Sequence, residues 1–145
     1  MRRRLLAAAA LLGALSRLFP AWPTAAAAEP AVPAVPEIVV TCAECGMSAK
    51  IADRFTARIV QGGSTLYFCD IGDLAAFIDR KHPEEYAAAV HDFKSGEWID
   101  AGRAFFVIDK KAFASPMGWG VAAFRDVTAA TGAALDFEAL RKALR

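Results

Sequence analysis

Residues 1–36 read as a segment outside any packed core, so the fold must be built from residues 37–145. Arg2, Arg3 and Arg4 form a basic start, Leu5 to Leu15 is apolar and uncharged, and small residues run from Ala25 to Ala28. This is the layout of a secretory signal peptide, with the small-x-small cleavage rule met at Ala26-Ala27-Ala28. The apolar run is shorter than the roughly twenty residues a membrane-spanning helix needs. The expected boundaries are a signal peptide over 1–28 and a linker over 29–36, where Pro30, Pro33 and Pro36 favour extended, unpacked backbone. A folded domain then covers 37–145. The alternative is an uncleaved N-terminal anchor. No Cys follows the apolar run in lipobox position, so membrane attachment through an acylated Cys is not expected, and the expected location is the periplasm.

A domain of this length can close one hydrophobic core. The chain carries 17 Lys and Arg against 16 Asp and Glu. Four of the basic residues (Arg2, Arg3, Arg4 and Arg17) precede the cleavage point, which leaves a mature net charge of about −3. That balance disfavours nucleic acid as a partner, because phosphate binding needs basic patches.

The hydrophobic pattern predicts an α+β fold. Short strands are expected over Ile38–Thr41, Phe55–Val60 and Thr65–Phe68, the last two joined by the turn Gln61-Gly62-Gly63-Ser64. Asp70 is a suitable N-cap for a helix with Leu74, Phe77 and Ile78 on one face and Pro83 beyond its end. Further strands are expected over Tyr86–Phe93, Glu97–Asp100, Ala104–Ile108 and Val121–Phe124. Asp126 should cap a helix through about Thr131, and a last helix should span Asp136–Arg145. Phe68-Cys69-Asp70 and Phe124-Arg125-Asp126 both read as strand-to-helix corners. They hint at two related strand-hairpin-plus-helix halves packed into one small domain.

The chemistry concentrates in Cys42-Ala43-Glu44-Cys45-Gly46-Met47. Two thiols and a thioether within six residues are soft ligands of the kind that select Cu(I) over harder cations. Gly46 allows the bend that turns Cys45 and Met47 toward one point. The same run is also compatible with a Cys42–Cys45 disulfide, a redox pair or part of a zinc site. Zinc would ask for two more regularly spaced Cys or His ligands. Met117, in Ser115-Pro116-Met117-Gly118-Trp119-Gly120, lies in a Gly-flanked loop from which it can reach a ligand position, although gap-filling in a core is the commoner use of Met. Cys69 reads first as a small buried hydrophobe and second as a ligand or reactive thiol. His91-Asp92 reads either as a ligand with an orienting carboxylate or as a polar pair at a strand end. No arrangement suited to acid–base or nucleophilic catalysis is apparent, and the chain is not expected to be an enzyme.

These motifs resemble the nitrous-oxide reductase accessory proteins called NosL. The likeness rests on Cys42 to Met47, on Tyr67-Phe68-Cys69-Asp70-Ile71-Gly72-Asp73-Leu74, on His91-Asp92-Phe93 with Glu97 to Ala101, and on Ser115 to Phe124. It implies a periplasmic Cu(I) metallochaperone of two related halves. Its implied ligands are Cys45, Met47 and Met117, with Cys42 as a further candidate. Its implied partner is apo nitrous-oxide reductase, a denitrification enzyme, or the machinery that matures its copper–sulfide centre. The remaining alternatives are a periplasmic thiol–disulfide protein using Cys42 and Cys45, and a copper-sequestering protein serving another cuproenzyme.

Overall fold

The computed structural model describes residues 37–145; the expected signal peptide and linker lie outside them. Among the described residues, three antiparallel sheets and two helices make up an α+β fold, as expected. Strands β1 (Val39–Thr41) and β2 (Ser48–Lys50) pair across the Cys42–Met47 turn. Strands β3 (Ala57–Gln61), β4 (Ser64–Phe68), β5 (Ala87–His91) and β6 (Trp98–Asp100) form the largest sheet, in the order β4-β3-β5-β6. Strands β7 (Phe105–Ile108) and β8 (Val121–Phe124) form a separate hairpin. Helix α1 spans Ile71–Lys81 and helix α2 spans Phe137–Ala143.

Local chemistry explains where the helices begin. Asp70 takes an extended backbone and accepts a hydrogen bond from the Gly72 N–H, and Asp136 accepts one from the Ala139 N–H. Helix α1 stops where His82 turns left-handed, one residue before Pro83. The helix expected after Asp126 is instead a single 3-10 turn, Val127–Ala129. Asp126 does cap it, but the β-branched Val127, Thr128 and Thr131 and the nearby Gly132 give it no propensity to continue.

Helix α1 presents Ile71, Leu74 and Ile78 to β3 and β4, where they join Ile59 and Phe68, with Val90 of β5 in the same cluster. Phe106, Val121 and Leu140 complete this core from the second half of the chain. Each such fully buried side chain contributes on the order of 2 kcal/mol. A smaller cluster of Val107, Phe113, Ala122 and Phe124 packs with Phe55 and Phe93. Among the described residues no helix is long and apolar enough to cross a membrane.

The two halves repeat one design. After β1 the chain makes a turn in which the Cys42 N–H bonds Met47 O at 2.8 Å and the Gly46 N–H bonds Cys42 O at 3.0 Å. After β5, Asp92 N–H bonds Glu97 O at 2.8 Å and Gly96 N–H bonds Asp92 O at 2.8 Å. Cys42 then bridges in parallel to Tyr67 on β4, and Asp92 bridges in parallel to Ala123 on β8. Both receiving strands end at a corner closed by an Asp cap, Asp70 and Asp126. The shared corner legible in the sequence is thus half of a larger repeat that also includes the turns at Cys42 and Asp92.

Candidate metal centre

The turn after β1 and the corner after β4 are held together by the Cys42–Tyr67 bridge and by the Ala43 N–H bonding Tyr67 O at 2.8 Å. That backbone contact carries Cys42 and Cys45 to Cys69, which precedes the α1 cap. Gly46 has φ +76, a left-handed value that an L side chain adopts only with strain, and it closes the turn that carries Cys45. The result is a cluster in which one ligand atom each from Cys42, Cys45, Cys69 and Asp73 lies within 4.8 Å of all the others. Cys42 and Cys69 are each 2% exposed and Asp73 is 3% exposed, whereas Cys45 opens to solvent.

All three cysteines are free thiols, and each finds a partner inside the cluster. The Cys69 S–H donates to Asp73 Oδ2 at 3.3 Å, and the Cys42 S–H approaches the same oxygen at 3.6 Å. Cys45 Sγ lies 3.4 Å from Cys69 Sγ. The close sulfur contact therefore joins Cys45 to Cys69, while Cys42 turns toward Asp73. Burial pushes the Cys69 thiol far above its ordinary value, and the contacts with Cys45, Asp73 and Cys42 act in the same direction. Cys45 is also raised, first by partial loss of water. The Met47 backbone N–H offsets that in part and Cys42 reinforces it.

A second loop braces the cluster. Asp70 Oδ2 accepts from Ser115 Oγ at 2.6 Å and from the Met117 N–H at 3.1 Å. Trp119 donates its indole N–H to Asp73 Oδ1 at 2.9 Å. The indole lies directly on Gly72, where an added Cβ would fall 2.0 Å from Trp119 Cγ, so only glycine admits it there. The loop 115–120 is thus clamped onto the first turn of α1.

Of the residues expected in the site, Cys42 and Cys45 are brought together. Met47 and Met117 are 44% and 42% exposed, Met47 two residues from Cys45 and Met117 bonded through its backbone to the residue after Cys69. Cys69, expected first as a buried hydrophobe, is buried and also central to the cluster. Asp73 is a member that the sequence does not single out. An acid in the first turn of a helix has an ordinary reason to be there, favourable interaction with the helix dipole, which hides any other role. His91-Asp92 takes no part. His91 Nδ1 and Nε2 lie 2.8 and 2.7 Å from the carbonyl oxygens of Gly96 and Ile51. Asp92 accepts from Arg125 N, Ser95 N and Ser95 Oγ, so this is the polar pair at a strand end.

The donor set suits a soft cation. Three sulfurs converging on one point suit the low coordination number of a soft cation such as Cu(I). The NosL family model covers residues 37–138, while no curated protein and no solved structure matches the chain. That span takes in the Cys42 turn, the Cys69 corner and the Met117 loop together, and the chain belongs to the NosL family.

Proposed function

We propose that the protein is an exported Cu(I) metallochaperone that supplies copper for the copper–sulfide centre of nitrous-oxide reductase. The observation that carries this reading is the convergence of Cys42, Cys45 and Cys69 in a member of the NosL family. Copper is the cargo, and no bond in a substrate is made or broken. Cys42 and Cys69 supply buried thiolates that hold the ion. Cys45 lies at the rim, where a ligand from the recipient can enter as the Cys45 sulfur leaves. Met47 and Met117, both exposed, supply thioethers that shield Cu(I) without adding charge. Export rests on the basic, apolar and small-residue order of residues 1–28. The intact mass of the exported protein tests it: a chain starting near Glu29 is expected, and retention of Met1 to Ala28 overturns it.

One observation favours a second reading. Three thiols and a carboxylate oxygen make a four-donor set that zinc accepts. Anaerobic titration of the reduced protein with Cu(I) against a competing chelator separates the two. One Cu(I) per monomer, displacing any zinc present, is the expected result. Stoichiometric zinc that Cu(I) does not displace overturns the copper reading.

A further inference from the structure

We propose that Cys45 and Cys69 form a thiol–disulfide exchange pair, with Cys45 the thiol that meets a low-molecular-weight disulfide and Cys69 the thiol that resolves it. Only the consequence for copper rests on the function proposed above. The exchange itself stands on the geometry of the apo cluster.

The three thiols are not equivalent. Cys45 is exposed, so an external disulfide can reach it. Cys69 is 2% exposed and closed off from any such reagent, yet its sulfur lies 3.4 Å from Cys45 Sγ. Cys42 is equally buried, its backbone is fixed by the bridge to Tyr67, and its S–H points to Asp73 Oδ2. The Cys-x-x-Cys spacing alone would pair Cys42 with Cys45. The fold instead brings Cys45 into sulfur contact with Cys69 from the β4–α1 corner.

The chemistry closes without any further reagent. Cys45, as thiolate, attacks one sulfur of a disulfide RSSR. The S–S bond breaks, a Cys45–SR mixed disulfide forms and RS⁻ departs. Cys69 then attacks Cys45 Sγ, its proton passing to the departing thiolate, and the second RS⁻ leaves. In balance, two protein thiols and RSSR give one Cys45–Cys69 disulfide and two RSH. The two protein sulfurs are oxidised and the two sulfurs of RSSR are reduced. Forming the bond requires the sulfurs to close from contact to about 2.0 Å. The Cys45 side chain is exposed and its sulfur makes side-chain bonds only within the cluster, so no side-chain bond from outside opposes that movement. Oxidation would take two of three sulfurs from the metal, so the cluster accepts copper only when reduced.

The test uses the folded, metal-free protein and glutathione disulfide at mildly alkaline pH, followed by alkylation and peptide mapping. The expected product has one disulfide linking Cys45 to Cys69, with Cys42 alkylated. Fragment ions broken between Ala43 and Glu44 assign the linkage. Cys69→Ala should stop at the Cys45–glutathione mixed disulfide, and Cys42→Ala should leave the Cys45–Cys69 product unchanged. A Cys42–Cys45 linkage in the wild-type protein, or three alkylated thiols, overturns the proposal, and the wild-type map decides even if a variant fails to fold. A parallel Cu(I) titration of the reduced protein separates the two ideas. Disulfide formation without copper binding removes the copper reading and leaves the pair, and copper binding without disulfide formation does the reverse.

Discussion

Trp119 donates its indole N–H to Asp73 Oδ1 across 2.9 Å, joining residues 46 positions apart. The other oxygen of that carboxylate accepts from Cys69. One side chain from the second half of the chain thus fixes the orientation of a carboxylate in the cluster of the first half. Trp119→Phe keeps the ring and removes the N–H. Partners of this kind typically change metal affinity by tenfold or more, so Cu(I) affinity should fall about tenfold. The apo fold should lose only about 1 kcal/mol, the ordinary worth of one hydrogen bond. Gly72→Ala should be harsher, because it expels the ring from its seat; a loss of roughly 1–3 kcal/mol is expected from the overpacking alone. Chelator competition and thermal melting measure both, and unchanged affinity in Trp119→Phe would free Asp73 from any dependence on the indole.

The two exposed methionines offer a cleaner comparison. Leu and Met have similar volumes, so Met47→Leu and Met117→Leu should leave the apo melting temperature nearly unchanged. Each should nonetheless weaken Cu(I) binding if its thioether contacts the ion. Cys45→Ser should weaken binding more than either, because it removes a thiolate, while Cys42 and Cys69 still hold the ion. Wild-type affinity in Met117→Leu would leave the sulfur chemistry entirely to the three cysteines.

Copper loading should depend on pH with a definite sign. The thiols of Cys45 and Cys69 are raised by burial, so both carry protons at neutral pH and must lose them when the ion binds. Each proton released strengthens apparent affinity by about tenfold per pH unit. Cu(I) affinity should therefore rise steeply from about pH 6 to pH 8. A flat profile would mean that the ion binds without displacing those protons.

A separate acid transition should come from the helix pair. Arg145 and Arg141 lower the Asp79 carboxyl from 3.8 to about 2. The folded state therefore binds this proton less readily than the unfolded state does. The stabilisation is fully present above the ordinary carboxylate value and is lost as pH falls from about 4 toward 2. Arg145 is mostly exposed, which limits the effect to about 1 kcal/mol. Asp79→Asn should flatten the melting temperature over that interval while leaving copper binding untouched.

Much of the fold is legible in the sequence because it rests on local chemistry. Asp70 caps α1, Pro83 lies past its end, and Gly62-Gly63 closes the β3–β4 hairpin at the expected place. Strand β2 is not legible, because Ser48-Ala49-Lys50 is too short to show alternation and its pairing with β1 gives it its form. The cluster is only half legible. Cys42 and Cys45 announce themselves by spacing, but Cys69 arrives through the backbone bridge from Cys42 to Tyr67, a contact between residues far apart in the chain. The recurrence of Cys69 and Asp73 at i and i+4 is the one local signal there, and its ordinary explanation as a buried thiol and a helix-dipole acid conceals it.

The repeated turns carry a consequence for how the protein breathes. At the second turn, burial alone would raise the Asp92 carboxyl, but the Arg125 and Ser95 N–H groups and Ser95 Oγ outweigh it and keep the carboxyl low. That turn is sealed by charge-assisted bonds and needs no ligand. The first turn has the same backbone closure but fills its interior with thiols, whose hydrogen bonds are weak. Its amide protons at Cys42 and Gly46 should therefore exchange with solvent deuterium faster than those at Asp92 and Gly96, although the four occupy matching positions. Loading one ion should erase the difference, so that the second turn serves as a standard, built into the same chain, for how tightly the first has closed.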